Sequence, residues 1–255
     1  MTRVLFYPDL PHERAVLSRV CKQLNYTPSN VLTQSFSFGL KWKDTTYHSL
    51  STDEVKSLNG KAVYNIRCTD ISKATIHRLF YETFGKPLGV LPEVYEGLMV
   101  CKSDRNAAHD GVIVEGPLND PLPDKVYCKL INNIADNDAI DYRVPLLAGA
   151  IPLVYVKRRP VANRFANRNT SVSLTAAESA FSTDELKNIT DFSQRLGMDY
   201  GELDILRDRN SHQIYIVDAN NTPYGPPNGL PEAEQQTALR LLAAAFQRMY
   251  PSCDL

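Results

Sequence analysis

The elements legible in this 255-residue chain predict an α+β fold, in which strand hairpins are flanked by helices in more than one lobe. Three observations carry that expectation. The chain opens β-α: Arg3 to Tyr7 is a strand-like apolar run, and Glu13 to Leu24 carries apolar Ala15, Leu17, Val20 and Leu24 at helical spacing. Two hairpin patterns come after it, one folded about the polar loop Ser103 to Gly111 and one about the turn residues Asp208 to Ser211. Helices with clear start and stop signals lie between and after them, and no internal repeat or low-complexity tract interrupts the order.

Composition narrows the class. Hydrophobic residues make up 43% and charged residues 22%, an ordinary globular balance. A formal net charge of -1 offers no electrostatic reason to expect nucleic acid or a membrane surface as the main partner. No apolar run approaches the roughly 20 residues that cross a bilayer, and the opening MTRVLFYPDLPHE lacks the long apolar segment of a signal peptide. The cysteines, Cys21, Cys68, Cys101, Cys128 and Cys253, form no CxxC pair and are odd in number, so neither a disulfide framework nor a zinc site is indicated. A cytoplasmic protein is the expectation.

After the opening, Asn30 to Leu58 alternates weakly around the only tryptophan, Trp42, and reads as short strands. Val63 to Arg67 is another strand, ending at Thr69-Asp70. A helix from Ser72 to Phe84 starts at Asp70 or Ser72 and stops at Gly85. Gly97 to Lys102 and Gly111 to Glu115 pair as the first hairpin, and proline-rich Gly116 to Asp124 connects onward. Val126 to Ile131, Tyr142 to Leu147 and Ile151 to Lys157 read as strands of one antiparallel sheet. Ser182 and Glu185 match a capping box before Leu186, Ile189, Phe192 and Leu196, and Gly197 ends that helix. The second hairpin comes next, and Glu232 to Met249 closes the order as a helix.

Chemistry concentrates on that last hairpin. Asp218 and Asn220 share one face of its second strand while Ala219 points away, and Asp204 stands on the first strand. Carboxylates converging with an amide oxygen find their partner in a hard cation such as Mg2+. Lys102 ends a strand and opens the loop SDRNAAHDG, where it can set a point charge on a phosphate; with one glycine this is no Walker loop. His109-Asp110-Gly111 is either a base with its orienting carboxylate or a polar turn, and the opposite orientation of neighbouring side chains favours the turn. Arg143 interrupts an apolar alternation and needs a carboxylate or phosphate. Lys157, Arg158, Arg159, Arg164 and Arg168 suit a polyphosphate or acyl phosphate, or else form a solvated connection. As a nucleic-acid surface the cluster lacks aromatics beyond Phe165. Lys73 sits where a helix N-terminus favours anions. His48 and His77 show no ligand spacing.

In order, these pieces resemble the ATP-grasp superfamily, which includes D-alanine–D-alanine ligase, glutathione synthetase and the enzyme that adds glutamates to a ribosomal protein's tail. The resemblance runs from about Asp70 to Pro223. DISK with its helix and FGKPLGVLP is similar to the family's first lysine, with a helix, a glycine and a proline after it. LMVCKSDRNAAHDG resembles the second lysine and the mobile phosphate loop, and VYCKLINN the hinge that meets adenine. IDYRVPLLAGAIPLVYVKRRPVANRFANRN resembles the D-x-R arginine and the basic segment ending in asparagine. ELD and IVDANNTP resemble the metal-binding acid and the acid-x-asparagine pair. The chain departs from the pattern in having Asp218 where glutamate is usual, a glycine-poor loop, and a short segment before Asp70.

The resemblance implies two α+β lobes sandwiching ATP, residues 71–123 the smaller and 124–255 the larger with the metal site, behind a short α/β domain of residues 1–70 on the substrate side. It implies Lys73, Lys102, Ser103 and His109 around the phosphates, Lys129 and Leu130 at adenine, and Asp141 near the ribose. Arg143 and Arg164 would act on the transferring phosphoryl group, and Asp204, Asp218 and Asn220 would hold Mg2+. The implied activity is an ATP-dependent ligase joining a carboxylate to an amine through an acyl phosphate, with amino-acid or peptide-like substrates. A kinase for a small-molecule hydroxyl and a catalytically degenerate nucleotide-binding protein are the alternatives. The implied partners are small carboxylates and amines; a homodimer stays open.

Overall fold

The computed structural model describes residues 2–58, 60–108, 110–166 and 168–250. Strand β1 (Arg3–Pro8) leads through α1 (Val16–Gln23) to β2 (Thr27–Ser29) and β3 (Phe38–Trp42), then through α2 (Thr52–Ser57) to β4 (Val63–Tyr64). These four strands form a parallel sheet in the order β2-β1-β3-β4. A parallel sheet is covered on both faces, and Val4, Leu5, Phe6, Phe38 and Leu40 are accordingly fully buried. Helix α2 is a departure from the expected short strands. Ser51 Oγ accepts from Glu54 N–H and the Glu54 carboxylate accepts from Ser51 N–H, a capping box hidden in a polar stretch.

Helix α3 (Lys73–Phe84) starts at Ser72, whose hydroxyl accepts from Thr75 N–H, and stops at Gly85 in the left-handed conformation. Strands β5 (Gly97–Ser103), β6 (Val112–Gly116) and β7 (Lys125–Lys129) form an antiparallel sheet in the order β6-β5-β7. This corrects one expectation. The sequence pattern groups Val126 to Ile131 with the sheet of Tyr142 to Leu147, yet β7 pairs with β5, from Met99↔Lys129 to Ser103↔Lys125. Apolar alternation marks a strand without naming its neighbour.

The third sheet comprises β8 (Ile134–Ala135), β9 (Asp138–Leu147), β10 (Val154–Pro160), β11 (Ser171–Thr175), β12 (Tyr200–Arg207) and β13 (Ile214–Asn220). Its order is β11-β10-β9-β12-β13, with β8 beside β9. Helices α4 (Ala177–Ala180) and α5 (Thr183–Leu196) precede β12, and α6 (Glu232–Met249) comes after β13. Among the described residues no helix is long and apolar enough to cross a membrane.

One face of this sheet is largely apolar. Val144, Val154, Leu203, Ile205 and Ile216 pack there against Ile76 and Phe80 of α3 and Ile189 and Phe192 of α5. Two elements thus cross the boundaries expected near residues 71 and 124: α3 packs on the large sheet, and β7 completes the small one. The opposite face is divided. Leu147, Tyr155, Val172 and Tyr200 pack against Phe6, Trp42, α1 and α6, whereas the remainder carries charged side chains and faces the small sheet. That polar half is the site.

Candidate active site

Register brings the polar residues together. Asp204 stands opposite Asp218 and Glu202 opposite Asn220, while Arg143 of β9 stands opposite Asp204 from the other side. Residues directly opposite in an antiparallel pair share a face, so three strands deliver one polar cluster. Arg143 donates from Nε and Nη2 to the two oxygens of Asp204, each at 3.1 Å, and Lys157 Nζ donates to Oδ1 at 2.8 Å. Burial alone would raise the Asp204 carboxyl; Arg143 and Lys157 outweigh it and hold it far below the usual carboxylate range. Burial lowers Lys157 in spite of that anion. Glu202 is only 3% exposed, and burial raises it to about 7 against the pull of Arg143.

Two further cations reach the cluster from outside the sheet. Lys73, the first residue of α3, donates to Asp218 Oδ1 at 2.5 Å and to Asn106 Oδ1 at 3.3 Å. Lys102, at the end of β5, donates to the Val217 carbonyl at 3.2 Å. A cleft of about 380 Å³ is lined by both lysines with Arg143, Glu202, Asp218 and Asn220. A second, of about 190 Å³, adjoins it between the sheets, lined by Val100, Leu130, Asp141, Lys157 and Arg164 among others.

The loop after β5 is tied down rather than glycine-rich. Asp104 accepts from Ala74 N–H at 2.8 Å and from the Tyr47 hydroxyl at 2.8 Å, and Asn106 N–H donates to Thr46 Oγ1 at 2.9 Å. The start of α3 and a segment of the N-terminal domain therefore hold this loop over the cleft. Its single glycine, Gly111, faces Phe165, whose ring would lie 3.2 Å from a β-carbon placed there. His109 lies outside the described residues. The Asp110 carboxylate, its candidate orienting group, is taken up by Ser103 N–H and Lys125, each within 3 Å.

Solved structures share this fold across nearly the whole chain. The ATP-grasp ligase PsnB, complexed with a phosphomimetic variant of minimal precursor, Mg and ADP, matches 98% of this chain over 98% of its own, with a TM-score of 0.63 and 12% identity. The chain has the ATP-grasp fold. D-alanine–D-alanine ligase from Bacillus anthracis matches at a TM-score of 0.58 and 12% identity, covering 97% of this chain and 96% of that one. The RimK domain protein from Sphaerobacter thermophilus matches at 0.55 and 11%, covering 98% and 99%. No protein-family model matches the sequence, and no curated protein does.

Within the ATP-grasp fold the expected site residues fall into two groups. Lys73, Lys102, Arg143, Asp204, Asp218 and Asn220 gather around the first cleft, which Ser103 also lines. Lys129, Leu130, Asp141 and Arg164 line the second. The hinge N–H groups are engaged, Lys129 to the Leu88 carbonyl at 3.0 Å and Leu130 to Leu98 at 3.3 Å. Asp141 pairs with Arg159 at 2.8 Å and accepts from Asn133 at 3.0 Å; Arg164 donates to Asn133 Oδ1 at 2.7 Å and to the Ile131 carbonyl. The basic cluster is not one patch. Strand alternation turns Lys157 and Arg159 inward, where they are buried, while Arg168 is exposed.

The donors around the first cleft are all oxygens, which suits a hard cation. Among the described residues no three His, Cys, Asp or Glu side chains are disposed to hold a metal by themselves, so phosphate and water oxygens would complete its shell. Sequence reasoning misses Glu202. Its signal is present, since Glu202 and Asp204 are two apart on one strand and so share a face. Thr46 and Tyr47 give no signal, because they come from a loop whose place only the assembled fold determines.

Proposed function

We propose that this chain is an ATP- and Mg2+-dependent ligase that joins a carboxylate to an amine. The observation that carries the reading is the convergence of Lys73, Lys102 and Arg143, from three separate elements, on one cleft that ends in oxygen donors. Three cations in a cleft between two sheets suit a triphosphate, and a water-poor space strengthens each contact.

ATP occupies the paired clefts, with adenine at the hinge of Lys129 and Leu130, the ribose toward Asp141, and the phosphates under the loop from Ser103 to Gly111. A carboxylate oxygen of the donor attacks the γ-phosphorus, and ADP leaves. The amine then attacks the acyl carbon, inorganic phosphate leaves, and the amine's proton is released, so that an amide remains. Lys73 and Lys102 offset phosphate charge, while Arg143 and Arg164 stabilise the oxygens of the phosphoryl group in transfer. When bound, Mg2+ neutralises phosphate oxygens; Asp204, Asp218 and Asn220 would hold it. The neighbours' peptide precursors and D-alanine substrate support an amino-acid or peptide-like substrate here. The cytoplasm is the proposed setting.

Incubation with Mg-ATP and panels of amino acids, peptides and amines, with mass spectrometry of the products, tests the reading. The expected product is an amide lighter than its two substrates by one water, formed with ADP and phosphate. A phosphoester product would replace the ligase with a kinase, and ATP binding without turnover across the panels would replace it with a nucleotide-binding protein.

A further inference from the structure

A small cavity adjoins the nucleotide cleft on its N-terminal side, and the chemistry above gives it no task. It holds about 90 Å³ and lies at the carboxyl ends of β1 and β3. Chain order reverses there, with β2 on one side of β1 and β3 on the other. Open parallel sheets collect ligands outside the carboxyl ends of strands that flank such a reversal. The lining passes from Asp9 and Leu10, both exposed, along Trp42 to Asp44, Thr222 and Tyr224. Those last three also line the nucleotide cleft, so the two spaces are continuous.

Two features of this lining select a cation. Asp9 is already paired with Lys43 at 2.9 Å. Asp44, by contrast, has no lysine, arginine or histidine at ion-pairing distance among the described residues. Its Oδ1 accepts from Thr222 Oγ1 at 3.1 Å, which fixes the carboxylate and leaves the second oxygen to a ligand. Trp42 and Tyr224 add aromatic rings, and a carboxylate beside such rings favours an ammonium over a neutral group.

Size and position narrow the ligand. A space of this volume takes an end group and not a whole substrate, since pockets for drug-sized molecules begin near about 300 Å³. Thr222 N–H donates to Asn220 Oδ1 at 2.9 Å, so one residue links Asp44 to the donor set proposed for Mg2+. We propose that Asp44 holds the ammonium of the acceptor where this cavity meets the cleft, with an unbranched methylene stem lying along Leu10, Trp42 and Tyr224. The acceptor is then a primary amine on a narrow alkyl chain, as in a lysine side chain, rather than a hydroxyl. The assignment rests on the ATP-dependent ligase reading above and adds to it the class of the second substrate.

Trp42 is the only tryptophan, so its fluorescence reports on the cavity in the full chain. The probe is n-butylammonium and its uncharged counterpart n-butanol, each titrated with Mg2+ and a non-hydrolysable ATP analogue present. Calorimetry follows the analogue itself. The expected result is a saturable Trp42 response to n-butylammonium and a far weaker one to n-butanol. Asp44 is exposed, and Asp44→Asn keeps the oxygen that accepts from Thr222 while removing the charge. It is expected to weaken n-butylammonium binding about tenfold. Asp9→Asn removes an acid already paired with Lys43 and is expected to change binding less than about twofold. The assignment is overturned if n-butanol binds as well as n-butylammonium, or if Asp44→Asn binds it as the parent does. It is overturned too if Asp9→Asn loses more than Asp44→Asn, or if the parent with bound analogue gives no Trp42 response. A parent that does not bind the analogue would overturn the ATP reading itself, so the two failures are distinct.

Discussion

The ammonium of Lys73 lies 2.5 Å from Oδ1 of Asp218, joining the first residue of α3 to the last strand of the large sheet. A lysine at a helix N-terminus opposes the helix dipole, and the first turn of α3 holds no acidic residue to compensate. Lys73 therefore owes its place to the cleft rather than to the helix. Asp218 is one-third exposed, so water replaces much of the lost pairing and the stability cost of Lys73→Met stays below the usual range for a buried pair. Nucleotide binding responds more strongly. A charged contact to phosphate contributes about 1.5–3 kcal/mol, so Lys73→Met is expected to weaken ATP-analogue affinity about ten- to a hundredfold in calorimetric titration. Unchanged affinity with reduced stability would make the pair purely structural.

The polar face is readable from sequence where strand periodicity decides it. Asp218, Asn220 and Arg143 each break an apolar alternation, and all three line the cleft. Periodicity is blind to partners, which is why it assigns β7 to the wrong sheet and groups Lys157 with Arg158 and Arg168 although Lys157 is buried against Asp204. The strand β11, SVSLT, is short and half polar, and offers no run to read. Helix α2 hides for the same reason, its capping box having no apolar stripe behind it. Contacts such as Tyr47 to Asp104, 57 residues apart, depend on how the N-terminal sheet docks, and no local pattern encodes that.

His77 gives the fold a pH dependence of known sign. Burial, and after it the Lys102 and Lys73 cations, lower it to about 3. Its Nε2 has no hydrogen-bond partner among the described residues, and its ring crowds Gly89, where a β-carbon would lie 3.1 Å from Nδ1. The native state keeps the ring neutral, whereas the unfolded chain takes up a proton below about pH 6.5. The unfolded state therefore binds more protons between about 3 and 6.5, and this contribution to stability, complete above that window, is lost as pH falls through it. The slope approaches about 1.4 kcal/mol per pH unit for this one group. In urea unfolding at about pH 7 and about pH 4.5, His77→Gln is expected to lose less stability between the two conditions than the parent does. Equal losses would show that His77 is protonated in the folded protein.

Asn65 carries the seam between the N-terminal sheet and the start of β12. It is fully buried, with φ of 61°, a left-handed conformation that asparagine tolerates better than most residues. Its backbone N–H donates to Asp199 Oδ2 at 2.7 Å and its Nδ2 to the Tyr200 carbonyl at 2.7 Å; its Oδ1 accepts from the N–H groups of Asp199 and Tyr200, each at 2.8 Å. Asn65→Ala removes three of these bonds and strands two N–H groups and a carbonyl. At about 1–3 kcal/mol for each buried group left unpaired, the loss is expected to reach at least about 3 kcal/mol. Asn65→Gly loses the same bonds but accepts the positive φ, so it should be the more stable of the two variants by about 1 kcal/mol. Chemical denaturation of the parent and both variants checks the order. Because Tyr200 lies two residues before Glu202, a seam that carries this weight also fixes where the cleft's buried acid stands. If Asn65→Ala unfolded within about 1 kcal/mol of the parent, the bonds would be dispensable and the position of β12 would have to be set by Trp42 and Tyr200, whose rings lie 6.0 Å apart.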